Sequence, residues 1–251
     1  MLIRPIVLVD LDDTLFQTGA KCPPNVPVDQ LIVVATARTG KNSFMTPSQK
    51  VMIDWLLATA DVVPVSARSS GAYDGVRIAF KAGAILCNGA LIRNADGTID
   101  AEWQARINDD LAPFHLILKN LLAEARASAE RKKIKIRSLI AGENGVLAYV
   151  VIKDCEGDGQ RLAEIEFDQQ KIIGWTRHQN GNNLALLPPV LSKKRAVEYF
   201  ITRIRTRAPQ TPVLGFGDSI SDVPFLQLCD WWGLPSRSQI AEAFAACATR
   251  S

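Results

Sequence analysis

Apolar and polar positions follow two rhythms along this chain. Ile6-Val7-Leu8-Val9 is an unbroken apolar run, the pattern of a parallel strand buried on both faces, and it leads straight into Asp10, Asp12 and Asp13. Thr46-Pro47-Ser48-Gln49 reads as a helix start, with Thr as cap, Pro in the first turn and Gln at the capping-box position. The spacing predicts that this helix runs to about Ala60. Val62–Val65 is the next strand, a helix is expected over roughly Ala72–Ala82, and Ala84–Cys87 is a third strand ending at Asn88-Gly89. This β-α-β-α-β order implies a parallel sheet with right-handed crossovers.

From about residue 91 the rhythm changes. A turn at Arg93–Thr98 precedes a long helical pattern carrying Trp103, Ile107, Leu111, Leu118, Leu121 and Ala125, in which Pro113 is placed to kink or split the helix. Strand pairs are expected over Ile134–Ile140 with Gly145–Lys153 and over Ile172–His178 with Asn183–Leu187. After Pro188-Pro189 the β/α rhythm returns. A helix begins at Ser192, a strand covers Val213–Phe216 and ends at Gly217-Asp218, Trp231-Trp232 is a short strand, and a last helix starts at Ser238. The expected architecture is a doubly wound, Rossmann-like α/β core formed by 1–90 and 188–251, with an inserted α+β domain at 91–187.

Composition narrows the classes of function. A chain of 251 residues with 47% apolar and 22% charged residues has ample material for a core. The net charge of +3 gives no reason to expect nucleic acid or a membrane surface as partner. No apolar run approaches the roughly 18 residues a membrane span needs. Five scattered cysteines, none in a C-x-x-C pair, predict thiols in a reducing cytoplasm, and two histidines argue against a zinc site.

In an open parallel sheet, ligands bind beyond the carboxyl ends of the strands. Asp10, Asp12, Ser66, Asn88 and Asp218 all fall at such ends, and Asp222 follows Asp218 by four residues, one helical turn away. Gathered acids repel one another unless a cation is present, and oxygen-only donors favour Mg²⁺. Lys193, Lys194 and Arg195 stand in the first turn of a helix, where each cation is disfavoured by about 0.3–1 kcal/mol. Either they are simply solvated, or Lys193 faces an anion, such as a phosphate shared with Ser66.

These residues also carry a resemblance. D-L-D-D-T (10–14), Ser66 in V-S-A-R (65–68), Lys193 in L-S-K-K (191–194) and G-D-S-I-S-D (217–222) resemble, in order, the four motifs of the haloacid dehalogenase superfamily. N-G-A-L-I-R-N-A-D-G (88–97) resembles the core-to-cap crossing of its Cof-type and sucrose-phosphate phosphatase branch, and the long insert lies where that branch carries a type 2 cap. The resemblance implies a phosphatase acting through an aspartyl-phosphate, plausibly on a sugar phosphate. Asp10 would be the nucleophile and Asp12 the general acid and base. Ser66 and Lys193 would neutralise the transferring group. Mg²⁺ would be held by the Asp10 side chain, the Asp12 carbonyl and Asp218, with Asp222 close by. A phosphosugar mutase of the phosphomannomutase type is the nearest alternative, and a catalytically weak binding or regulatory module a more distant one. Asp13, Lys194 and Ser221 depart from the branch, which has Gly, Gly and Asn at those places; none of the three removes a catalytic group.

Weaker signals concern substrate. Residues 20–45 form a longer link than the branch needs, with a strand-like run at Leu31–Ala37, so Arg38 and Lys41 would sit at a hairpin tip, against substrate or merely in solvent. Lys133, Lys135 and Arg137 alternate as on one face of a strand, and type 2 caps turn such a face toward the active site. Asn88 is either a substrate ligand or a turn residue. Thr14 is expected to support the loop after Asp10.

Overall fold

A computed structural model describes residues 4–37, 40–143, 145–157 and 159–248. The chain divides into two units, Met1–Asp100 with Lys193–Ser251, and Ala101–Ser192.

In the first unit β1 (Ile6–Val9) is buried at every position, because neighbours flank it on both edges and side chains cover both faces. Short β2 (Gln17–Thr18) pairs antiparallel with β4 (Asn42–Met45), and β4 with β3 (Ile32–Thr36), giving a three-stranded sheet in the order β2-β4-β3. This small sheet is what the long link forms. It springs directly from the loop after Asp10, where the Asp13 amide donates to the Phe16 carbonyl at 2.7 Å. Helix α1 (Pro47–Thr59) starts with the expected capping box: the Gln49 amide donates to the Thr46 hydroxyl at 3.2 Å, and the Thr46 amide to the Gln49 side chain at 2.8 Å. β5 (Asp61–Pro64), the single-turn α2 (Ser70–Tyr73), β6 (Ala84–Leu86) and β7 (Leu91–Arg93) follow.

The helix expected over Ala72–Ala82 is a correction: it stops at Tyr73. Ala35 of β3 bridges Val76, and the Arg77 amide donates to the Val34 carbonyl at 2.7 Å. β3 therefore takes the Arg77 amide that a helix would have used, and tertiary pairing overrides local periodicity.

The second unit contains α3 (Ala101–Leu111), α4 (His115–Arg131), β8 (Ile136–Ala141), β9 (Tyr149–Asp154), β10 (Thr176–Asn180) and β11 (Asn183–Leu187). Pro113 separates α3 from α4 within a short 3₁₀ turn. The strands form an antiparallel sheet in the order β10-β11-β9-β8. Leu118, Leu121 and Ala125 of α4 pack on one face of it, with Val150, Ile152, Leu184 and Leu186. The unit begins at Ala101, not at 91, because β7 pairs back onto β6 (Leu91 opposite Leu86) and so stays with the first unit. It ends at Ser192, immediately before the helix that carries Lys193.

The chain then re-enters the first unit with α5 (Lys193–Arg207), β12 (Val213–Phe216), α6 (Val223–Leu226), β13 (Trp231–Gly233) and α7 (Gln239–Ala248). The central sheet is parallel in the order β13-β12-β1-β5. A parallel bridge from Val65 to Ile85 continues it toward β6. Val9 of β1 lies level with Phe216 on one side and Pro64 on the other. This register sets the next residues of three strands (Asp10, Gly217-Asp218 and Val65-Ser66) at one end of the sheet. Among the described residues no helix is long and apolar enough to cross a membrane.

Candidate active site

Four of the residues singled out in the sequence meet at the carboxyl end of β1. Carboxylate oxygens of Asp10, Asp218 and Asp222 lie within 4.8 Å of one another, and all three residues are buried. The Lys193 ammonium reaches between two of them, donating to Asp10 Oδ1 at 2.6 Å and to Asp222 Oδ1 at 2.7 Å. Lys193 is the first residue of α5; the cost of a cation there is offset by two acids directly in front of it. With the acids ionised, three carboxylates against one ammonium leave a surplus of two negative charges, which matches a divalent cation held by hard oxygen donors.

Each acid is fixed from its own element. Asp222 caps the turn before α6, its Oδ2 accepting from the Ser219 amide at 3.1 Å. Gly217 makes this approach possible, since a Cβ there would stand 2.8 Å from the Asp222 Cβ. Asp218 Oδ1 accepts from the Thr14 hydroxyl at 3.0 Å, so the Thr14 side chain supports an acid. Asp13 has a φ of +65°. That left-handed conformation explains why Gly suits the position, and Asp is among the side chains that tolerate it. The Asp13 carboxylate pairs with Lys21.

The electrostatics follow from this crowding. Burial holds the Asp10 carboxyl well above the usual carboxylate range, against the pull of Lys193. Burial opposes charge on Lys193 too, but attraction to Asp10 and Asp222 outweighs it and the lysine is raised. Asp218 is pushed up to about 6, first by burial and then by Asp222, while the Thr14 hydrogen bond acts the other way.

A raised folded-state pKa means that the metal-free protein loses stability as pH rises, here between the ordinary aspartate value of about 4 and about 6. A bound dication would remove that loss. Mg²⁺ should therefore raise the unfolding temperature at about pH 7.5 and have little effect at about pH 5. Thermal unfolding with Mg²⁺ and with EDTA at both pH values checks this; an equal shift at both, or none at the higher pH, contradicts it.

The other expected residues are placed as follows. Ser66 is buried at the end of β5, and its hydroxyl accepts from the Arg68 amide at 3.2 Å. The Asp12 carboxylate turns to Arg68, receiving Nε and Nη2 at 2.7 Å each. The share of Asp12 in metal binding was expected from its main-chain carbonyl, and this side-chain pairing is compatible with that. Asn88 follows β6 with φ +56°, and its amide donates to the Ser66 carbonyl at 3.1 Å. Arg38 lies outside the described residues. Lys135 and Arg137 belong to the second unit: Lys135 is exposed and pairs with Glu156 at 2.6 Å, and Arg137 is exposed opposite Lys153. Only Arg137 of the three lies in a strand: β8 begins at Ile136, one residue after Lys135, and the Lys133 φ of +53° breaks the alternation. Arg68 had no assigned role in the sequence reading, although a cation two residues after Ser66, near so many acids, was visible in V-S-A-R.

Solved structures of the same fold match nearly the whole chain. A sucrose-phosphatase from Synechocystis, solved with sucrose and phosphate, is 15% identical with a TM-score of 0.57, covering 98% of this chain and 98% of that one. The C-terminal domain of trehalose-6-phosphate phosphatase from C. albicans is 12% identical with a TM-score of 0.53, covering 89% and 72%. A haloacid dehalogenase-like hydrolase from Bacteroides thetaiotaomicron is 14% identical with a TM-score of 0.50, covering 97% and 99%. At such identities the likeness establishes the fold. No protein-family model and no curated protein matches the sequence.

Proposed function

We propose that this chain, with its haloacid dehalogenase-like fold, is a Mg²⁺-dependent phosphomonoester hydrolase acting on a small phosphorylated metabolite, a sugar phosphate being the leading class. The observation that carries the reading is the Lys193 ammonium set between Asp10 and Asp222, with Asp218 beside them. One nucleophile, one fixed cation and a hard-metal donor set are what phosphoryl transfer requires. The sucrose- and trehalose-6-phosphate phosphatases among the structural neighbours support the substrate class.

In this mechanism an Asp10 carboxylate oxygen attacks phosphorus as the ester P–O bond breaks, forming an aspartyl-phosphate. Asp12 gives its proton to the departing oxygen, which leaves as an alcohol. Asp12 then takes a proton from the water that attacks the aspartyl-phosphate, freeing inorganic phosphate and restoring Asp10. Lys193 and the Ser66 hydroxyl bear on the negative oxygens of the transferring group. The Asp10 side chain, the Asp12 carbonyl and Asp218, with Asp222 close by, would hold Mg²⁺, which when bound screens the nucleophile from the phosphate dianion. The same lysine keeps Asp10 paired in the absence of substrate.

Release of inorganic phosphate from a panel of sugar phosphates, with Mg²⁺ and with EDTA, tests the reading. Metal-dependent release from at least one member is expected. Isomerisation with the phosphate retained, dependent on a bisphosphate activator, would instead identify a mutase. Absence of any turnover would remove the enzyme reading.

A further inference from the structure

Arg68 is built into the protein more firmly than the acid it meets. Its guanidinium carbon lies 5.1 Å above the ring of fully buried Phe16, and its Nη1 donates to the Ala72 carbonyl at 3.2 Å. Its main chain is tied on both sides, the amide to Ser66 Oγ at 3.2 Å and the carbonyl to the Cys87 amide at 2.9 Å. Cys87 and Asn88 both hold left-handed φ values, +53° and +56°, in the loop that makes this tie. Backbone held in sparsely populated regions concentrates at functional sites. The Arg68 side chain is 17% exposed and that of Asp12 46%, so the cation is the anchored member and the acid the reaching one.

We propose that Arg68 is the positioning residue for Asp12: its two-pronged grip fixes the side chain in one orientation at the end of β1, from which the acid form passes its proton to the leaving oxygen and the carboxylate so formed stays in the fork, ready to take the proton of the attacking water. The proposal rests on the phosphatase reading above and deepens it. A planar guanidinium matches a carboxylate through two parallel hydrogen bonds, which sets direction as well as distance. A carboxylate offers about four lone-pair sites. The fork takes two of them, and the half-exposed side of Asp12 keeps the others accessible. Lysine, a single point charge, cannot impose the same orientation. Without the fork, Asp12 turns freely about its side-chain bonds, and small misplacement of a proton donor costs turnover steeply.

The prediction is a dependence on the leaving group. Nitrophenolate departs without needing a proton, whereas a sugar or alkyl alkoxide needs one as the P–O bond breaks. With Arg68→Met, the rate of aspartyl-phosphate formation at saturating ester, read by rapid quench, should fall about 10²-fold for a sugar phosphate and less than about tenfold for p-nitrophenyl phosphate. Arg68→Lys should retain the same imbalance in milder form, and it serves as the test if the methionine variant does not fold by circular dichroism. Guanidinium added to Arg68→Ala should restore part of the sugar-phosphate turnover. An equal loss in that formation rate on both esters, or a loss that saturating ester removes, overturns the role of Arg68 and leaves the phosphatase reading standing. Wild-type protein inactive on both esters overturns that reading and this proposal together.

Discussion

Asp10→Asn is expected to abolish phosphate release while leaving the protein folded and no less stable. The activity half follows from chemistry. An amide is too weak a nucleophile to attack phosphorus, so the covalent route closes and kcat should fall at least about 10³-fold. The stability half follows from burial. Asp10 is buried and its carboxyl is held well above the usual range, so its ionised form costs the folded state free energy at neutral pH. A group raised in this way favours folding below its unfolded value and loses that benefit as pH rises through the folded value. Asparagine resembles the neutral acid at every pH, so the variant's unfolding temperature without metal should match or exceed that of the wild type near neutrality. Lys193 keeps Asp222 as a partner in the variant. Unfolding curves with EDTA, alongside phosphate-release assays, check both halves.

Lys193→Met has the opposite profile. Here both activity and stability should fall, because the substitution strands two buried carboxylates that now share one ammonium at 2.6 and 2.7 Å. Removing one partner of a buried ion pair costs about 3–5 kcal/mol. Lys193 is raised above the ordinary lysine range, so its contribution is fully present throughout neutral pH and fades only in strong alkali. The penalty should shrink in acid, where Asp10, whose carboxyl burial already holds above the usual range, takes up a proton and needs no counter-charge. Mg²⁺ should recover part of the lost stability at neutral pH and none of the turnover, because the metal site is not the phosphate-facing position of the lysine. Chemical denaturation at neutral and acid pH, with Mg²⁺ and with EDTA, tests this; a variant as stable as wild type at neutral pH contradicts it.

Much of this arrangement was legible in the sequence because its key residues follow strands. Ile6–Val9 is apolar throughout, so it could be recognised as a central strand, and whatever followed it had to lie at a sheet end; the same logic located Ser66 and Asp218. Asp222 was readable from its four-residue spacing, although a 3₁₀ turn and not an α-helix brings it to Asp218, and Lys193 from its unfavourable position in a first turn. What failed depended on contacts between distant segments. The helix expected over Ala72–Ala82 has acceptable local character, but β3 claims the backbone at Val76 and Arg77. Lys133 obeys the alternation of its neighbours and still leaves the strand, because the chain turns with φ +53° at the end of α4. The Arg68–Asp12 fork joins two motifs that lie far apart in sequence, and no periodicity records which cation an acid will meet.

The most direct measurement is an acid quench during turnover of a ³²P-labelled sugar phosphate, followed by peptide mapping. Label on the peptide that carries Asp10 in the wild type, and none in Asp10→Asn, is the predicted result. Label at another residue, or wild-type phosphate release with no labelled peptide at any quench time, would contradict the account.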